Sequence, residues 1–180
     1  NAQPFFVRHQ HRSYALAHNG NLVNAHILKD ELERSGSIFQ TTMDSEVFLH
    51  LFVKNLKHGF EGALVETAKR LQGAFSFVLL TSEGEVVGIK DPNGFRPLCL
   101  GRLNGSYVLA SETCALDLVE AEYIRDVEPG EILIIDKNGL KSIPSKIESR
   151  KSLCIFELIY FARPDSKLFG QNVYLFRKKQ

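Results

Sequence analysis

The run His18-Asn19-Gly20-Asn21-Leu22 sets a carboxamide beside a glycine, directly after the alternating, strand-like residues 13–17 and before an amphipathic helical pattern. Asn-Gly is a strong turn signal. A turn here holds two donors together, the side-chain NH2 of Asn19 and the backbone N–H of Gly20, and Gly20 has no Cβ to keep a substrate away. Donors fixed in advance where negative charge develops make an oxyanion hole, which contributes roughly 3 kcal/mol to an acyl-transfer transition state. The competing reading is a plain strand-to-helix turn. Asp44 also has two readings. As the N-cap of a helix it accepts backbone N–H bonds and interacts favourably with the helix dipole. With a ligand ammonium nearby, it forms a charge-assisted pair instead. His18 reads as a packed or hydrogen-bonded neighbour of the turn rather than a general base.

Other chemistries find little support. His9 and His11 would share one face of a strand, but no third ligand at suitable spacing accompanies them. Neither GxGxxG nor GxxxxGK[ST] occurs, nor a GxSxG elbow, and no serine and histidine are spaced as a triad. Cys99, Cys114 and Cys154 form an odd set without CxxC spacing, which disfavours a disulfide framework and a self-contained zinc site and fits a reducing compartment. Cys99 and Cys114 read as buried. The chain thus offers an oxyanion hole without a visible nucleophile.

The elements that must position these residues follow from periodicity. Leu22, Ala25, Leu28 and Leu32 recur at helical spacing, predicting a helix over 23–35 with Asn21 as N-cap and Gly36 as the stop. Capping residues in Thr41-Thr42-Met43-Asp44-Ser45-Glu46 precede a second apolar stripe, Phe48, Leu51, Phe52 and Leu56, that ends at Gly59. A third helix carries Leu64, Ala68 and Leu71 and ends at Gly73. The period then changes to short β-rich runs at 74–81, 85–90, 98–103, 107–111 and 131–136, separated by turn signals such as Asp91-Pro92-Asn93-Gly94 and Asn104-Gly105. A short helix is expected over 112–119. Antiparallel sheets with helices outside them give an α+β layered domain. The polar stretch 142–152 reads as a linker or exposed loop, and a new apolar run covers 154–162.

The 180 residues suffice for one domain with a sizeable core, or a domain plus a piece of another. With 22 basic and 21 acidic residues, no electrostatic footprint for nucleic acid or a membrane surface stands out. Arg177-Lys178-Lys179 reads as a solvated helix face. No apolar stretch approaches the roughly 18 residues of a membrane span. A cytoplasmic location is expected. The chain begins at Asn1 without an initiator methionine and stops at Gln180 in charged, helix-compatible sequence, so a segment of a longer polypeptide is expected.

Four runs, Ala17-His18-Asn19-Gly20-Asn21-Leu22, Thr42-Met43-Asp44-Ser45-Glu46, Asp91-Pro92-Asn93-Gly94-Phe95-Arg96-Pro97-Leu98 and Tyr160-Phe161-Ala162-Arg163-Pro164-Asp165-Ser166, stand in this order and spacing. Together the chain resembles the amidophosphoribosyltransferase family, glutamine-dependent enzymes that open de novo purine synthesis. The first two motifs are shared with other class II glutamine amidotransferases, and the third has relatives in glutamate synthases. The last is more specific, and disfavours a glutamate synthase or sugar aminotransferase. A non-catalytic glutamine-binding module is the alternative from another class.

The resemblance implies an N-terminal nucleophile hydrolase domain, a four-layer αββα sandwich of two antiparallel sheets, here lacking its N-terminal strands. It implies a glutaminase domain over residues 1–150, and over 151–180 the connection to a phosphoribosyltransferase domain. Asn19 and Gly20 would form the oxyanion hole for the glutamine amide, and Asp44 would bind the α-ammonium. The family's nucleophile is a cysteine at the mature N-terminus with its own amine as base, and an arginine holds the substrate carboxylate; both are expected upstream of Asn1. In the parent enzyme ammonia would displace pyrophosphate from phosphoribosyl pyrophosphate with magnesium in the second domain. A homo-oligomer is expected at full length. Some members carry an iron-sulfur cluster, with one cysteine ligand at the position matched by Cys154; a small buried side chain is the competing reading.

Overall fold

A computed structural model describes residues 2–145, 147–152 and 154–180. The strands β1 (Phe5–His9) and β2 (Arg12–Leu22) form a hairpin, followed by helices α1 (Ala25–Arg34), α2 (Asp44–Asn55) and α3 (Gly59–Arg70). Then come β3 (Gly73–Thr81), β4 (Val86–Lys90), β5 (Cys99–Leu103), β6 (Ser106–Ala110), α4 (Thr113–Leu118), β7 (Glu122–Asp126), β8 (Glu131–Asp136) and β9 (Gly139–Pro144). A π-helical turn (Glu157–Phe161), the two-residue strands β10 (Lys167–Leu168) and β11 (Gln171–Asn172), and α5 (Val173–Lys178) complete the described fold.

The two large sheets have the orders β1-β2-β3-β4-β8-β9 and β6-β5-β7, and β10-β11 forms a separate two-stranded one, all antiparallel. Alternation along the strands explains the layers. Tyr14 and Leu16 of β2, Phe75, Phe77 and Leu79 of β3, and Ile132 and Ile134 of β8 face α1, α2 and α3 in the main core. The intervening residues Val78, Leu133 and Ile135 point the other way and meet Leu98, Leu100 and Leu109 of the second sheet. Cys99 turns outward beneath Leu116 of α4. The expected four layers, helices, sheet, sheet, helix, result. The centre of the helical interface is aromatic: Phe48 of α2 lies 4.7 Å from Phe77 by ring centroids, and Phe52 lies edge-on to Tyr14 at 5.4 Å.

Several expectations need correction. The chain does not turn at Asn19-Gly20: β2 continues to Leu22, paired in register from Tyr14↔Thr81 to Leu22↔Gly73. Helix α1 therefore starts at Ala25, and Asn21 lies in the strand instead of capping it. Asn24 stands at the cap position but spends its carboxamide on α3, donating to the carbonyl of Arg70 and accepting from the N–H of Gln72. His9 ends β1 and His11 lies in the hairpin turn after Gln10, at φ +53°, so they do not share a strand face.

The stretch read as a linker begins inside β9 and then packs down. Ser145 N donates to the carbonyl of Gly130, Arg150 N to that of Pro92 and Ser152 N to that of Asn93, so the segment straps the Asp91–Leu98 loop. Lys146, in that stretch, lies outside the described residues, as does Asn1. No helix among the described residues is long and apolar enough to cross a membrane.

Candidate active site

The far end of β2 is where the chemistry-bearing residues meet. His18 shares the helix-facing side of β2 with Tyr14 and Leu16, and its ring stacks on Phe77 at 4.2 Å. Its Nδ1 lies 3.1 Å from Oδ1 of Asp44, while the backbone N–H of Leu22 donates to Oδ2 at 3.0 Å. Asp44 is thus the first residue of α2, not its N-cap, which is Met43, and its carboxylate reaches across to β2. Burial alone would raise its carboxyl, but the bonds from His18 and Leu22 outweigh burial and hold it below the ordinary carboxylate range.

Gly20 adopts φ +140°, a conformation L side chains rarely adopt, and a Cβ there would stand 2.0 Å from the carbonyl oxygen of Ala74. Gly73 shows the reciprocal arrangement on β3, with φ +138° and a Cβ position 2.3 Å from the carbonyl oxygen of Asn21. The glycine is therefore required by the close approach of two strands. The direction of its N–H follows from the ladder. Phe75, opposite Gly20, directs both backbone groups the other way: its N–H donates to Asp91 Oδ2 and its carbonyl accepts from Asp91 N. On the other side of β2, pairing with β1 stops at Leu16, and the carboxamide of Gln3 takes the strand's place at His18, accepting from its N–H at 2.6 Å and donating to its carbonyl at 2.9 Å. Two residues on, the N–H of Gly20 points to this same side, past the end of β1, as an open-edge donor.

One surface pocket joins Gly20, His18, Leu22, Met43, Asp44 and Gln3. Asn19 alternates to the opposite face of β2, beside its cross-strand partner Ser76, and its side chain makes no hydrogen bond among the described residues. The structure thus gathers Gly20 and Asp44 into one pocket and leaves the Asn19 carboxamide as a free donor on the other face of the strand. Gln3 and the Leu22 N–H were not legible as site groups, because both act through backbone register that no local pattern specifies. The alternation of Tyr14, Leu16 and His18 was the available signal for His18.

The third motif is a support. Asp91 is fully buried and its carboxylate accepts from the N–H groups of Phe75, Asn93, Phe95 and Arg96, while burial pushes its carboxyl up against those bonds. This fixes the loop that lets Arg96 offer its carbonyl to Ser76 Oγ at 3.0 Å. The Arg96 guanidinium pairs with Glu157 at 2.6 Å and lies over the Phe161 ring. In the fourth motif, Glu112 accepts from Arg163 N at 2.9 Å and Ser166 Oγ at 2.6 Å, which clamps this run onto the start of α4.

None of the three cysteines lines the Asp44 pocket. Cys99 is buried, which pushes its thiol up to about 12, and it donates to the Ala110 carbonyl. Cys114 is only partly buried, so the expectation that both are sequestered holds for Cys99 alone. Among the described residues no group of three or more His, Cys, Asp or Glu side chains is arranged to hold a metal ion. Cys154 has no co-ligands among them, so the residues described do not fit an iron-sulfur cluster, which needs four thiolates.

The chain is 48% identical over 179 residues to the amidophosphoribosyltransferase of Bacillus subtilis, covering 99% of this chain and 37% of that protein. It is 43% identical to the amidophosphoribosyltransferase of Archaeoglobus fulgidus, covering 99% and 39%. The fold superimposes on the B. subtilis glutamine phosphoribosylpyrophosphate amidotransferase, solved with ADP and GMP, with a TM-score of 0.92 at 47% identity, covering 97% of this chain and 38% of that one. A class II glutamine aminotransferase domain protein from Silicibacter pomeroyi shares the fold alone, with a TM-score of 0.54 at 14% identity, covering 74% and 67%. The chain spans less than two-fifths of the length of these amidophosphoribosyltransferases. The model of one family, the glutamine amidotransferase domain, matches residues 1–118, about two-thirds of the chain, which therefore belongs to that family.

Proposed function

We propose that this chain is the glutamine-hydrolysing domain of an amidophosphoribosyltransferase, supplying ammonia that displaces pyrophosphate from phosphoribosyl pyrophosphate to give phosphoribosylamine. The observation that carries the reading is the pocket at the open end of β2, where a free backbone donor at Gly20 and the pinned carboxylate of Asp44 face the same ligand space. Asp44 binds the α-ammonium of glutamine through a charge-assisted contact. The nucleophile in this reading is a thiol at the mature N-terminus, deprotonated by its own amine, whose pKa near 7.7–8.0 suits a base at neutral pH. Neither the thiol nor the arginine that holds the substrate carboxylate is among the pocket residues described above. Attack on the amide carbon drives its electron pair onto the carbonyl oxygen; the Gly20 N–H at the strand edge receives that charge, and the Asn19 NH2, which makes no other hydrogen bond among the described residues, joins it by swinging round the same edge when substrate is bound. Collapse expels ammonia, and water then hydrolyses the thioester to glutamate.

Residues 1–150 form the glutaminase domain in this assignment and residues 151–180 lead into the phosphoribosyltransferase part, which holds magnesium and the second substrate. The full-length protein is a homo-oligomer in a reducing compartment such as the cytoplasm. The test is to assay the full-length polypeptide for ammonia release from glutamine, with and without phosphoribosyl pyrophosphate, while following pyrophosphate. Glutamine-dependent pyrophosphate release supports the proposal. Glutamine hydrolysis without it moves the acceptor to another class II amidotransferase, and neither activity leaves a glutamine-binding module.

A further inference from the structure

The imidazole of His18 is more costly than its packing position requires. Its side chain is only 2% exposed and lies flat against Phe77, where a leucine or phenylalanine would fill the space without any polar atom. Instead Nε2 is buried with no hydrogen-bond partner among the described residues. A buried polar atom left without a partner is destabilising. What the ring gains in return is one bond, from Nδ1 to Asp44. A carboxylate only accepts, so Nδ1 is the donor in that bond, and Nε2 is the ring atom left without a partner among the described residues.

That bond completes a two-point clamp. Oδ1 of Asp44 is held by the ring and Oδ2 by the Leu22 N–H, so rotation of the carboxylate breaks one bond or the other. Both donors belong to β2, and the backbone of His18 is itself gripped by the Gln3 carboxamide. Held in this way, the 23% exposed carboxylate still presents surface to the pocket.

We propose that His18 is a positioning residue that fixes the Asp44 carboxylate, and thereby sets the domain's preference for an amide substrate bearing an α-ammonium group. The proposal rests on the reading of Asp44 as the ammonium site. It reaches the substrate only through Asp44, so removing the ring should weaken recognition of the ammonium and leave amide hydrolysis itself intact.

The test compares L-glutamine with glutaramate, the same amide lacking the α-amino group, by ammonia release from the full-length protein. In His18→Asn the side-chain amide stands where Nδ1 stood and keeps a donor for Asp44. In His18→Gln it stands at the Nε2 position, and His18→Leu keeps only bulk. His18→Leu and His18→Gln should lose about tenfold or more of the preference for glutamine, through KM, as expected for a loosened charge-assisted contact. His18→Asn should stay within about threefold of the parent on the same reasoning, and glutaramate turnover, which also reports the folded fraction, should be unchanged throughout. Equal losses on both amides, or an unaltered preference in His18→Leu, would overturn the proposal. Asp44→Asn separates the two levels. If it leaves the preference intact, the ammonium-site reading fails; if it lowers the preference while His18→Leu does not, only the role of His18 falls.

Discussion

Gly20→Ala tests whether the site is a strand-edge donor made possible by a close backbone approach. The new Cβ would lie 2.0 Å from the Ala74 oxygen, 2.8 Å from Phe75 Cα and 2.9 Å from Ala74 C, and all three are backbone atoms. Since real Cβ atoms essentially never come within 3.0 Å of such neighbours, β2 and β3 must separate by about 1 Å. Strand β3 cannot retreat, because both backbone groups of Phe75 are tied to buried Asp91, so β2 moves. The unfavourable φ costs about 1–3 kcal/mol, and losing one or two ladder bonds adds about 1 kcal/mol each. The sum, roughly 2–5 kcal/mol, is a large share of the roughly 5–15 kcal/mol that holds a domain folded. Gly84→Ala is the control: Gly84 also has positive φ, at +93°, but nothing lies within 4 Å of its Cβ position. Its cost should be only the φ component, about 1 kcal/mol. Hydrogen exchange at the β2 and β3 amides of the full-length protein reads the difference locally. Glutamine hydrolysis should fall by about a hundredfold with Gly20→Ala, since a donor misplaced by about 1 Å loses that much. If Gly20→Ala opens β2 no more than Gly84→Ala opens its own turn, the close-approach argument is wrong.

Asn19→Ala should reduce glutamine hydrolysis about 10²–10³-fold, as for loss of one oxyanion donor, while activity with added ammonia survives; a change under about tenfold by the same measure would remove Asn19 from the site. Asp44→Asn should raise the glutamine KM more than it lowers kcat, because the ammonium contact is made to ground and transition state alike; steady-state kinetics with unchanged KM would leave Asp44 only its bonds to His18 and Leu22. The carboxyls of Asp44, Glu46 and Glu131 must overcome burial, and their hydrogen bonds hold all three below the ordinary range in the folded state. Groups depressed on folding contribute stability that is complete above the unfolded values, about pH 4–4.5, and lost as pH falls through the folded ones. Acid titration followed by circular dichroism should therefore show weakening below about pH 4.5, with a shallower slope in Glu46→Gln; an unchanged slope in that variant would remove Glu46 from the acid transition.

Periodicity made much of the fold legible because both sides of the first sheet are covered. Phe75, Phe77 and Leu79 pack on the helices while Val78 packs on the second sheet, so the β3 run reads as continuously apolar. Besides the two-residue strands β10 and β11, the strands that escaped notice are β1, β7 and β9, each at a sheet edge. Edges carry polar residues and one wet face, as in Glu122-Tyr123-Ile124-Arg125-Asp126, where Tyr123 and Ile124 are exposed. The Asn-Gly reading expected a turn where the structure has a strand. A local signal for a turn yields when cross-strand pairing from residue 14 to residue 22 is available, and the facing of Gly20 by β3 depends on register that sequence spacing does not reveal. Asp44 shows the same limit: a carboxylate at a helix start is legible, but its actual partners sit 22 and 26 residues away.

Gly20 of the first motif and Asp44 of the second line one pocket, while the third motif and the π-helical turn that runs into the fourth form a backing behind Ser76. Asn19 and Ser76 are cross-strand neighbours on one face of the sheet, so whatever fixes Ser76 limits where Asn19 can go. Ser76 is fixed by the Arg96 carbonyl. Arg96 in turn is held from both ends, its N–H by buried Asp91 and its guanidinium by nearly buried Glu157 on the π-helical turn. That turn is a wound segment whose Ala162 N–H reaches back to the Glu157 carbonyl, with Arg177 of α5 donating to the carbonyls of Leu158 and Ala162. Each link is a directional bond between groups at least partly buried, where losing one partner leaves the other unsatisfied. A loop rich in turn residues can therefore serve as a rigid backing for the strand that carries Asn19, because its freedom is removed by Asp91 at one side and by Glu157 at the other.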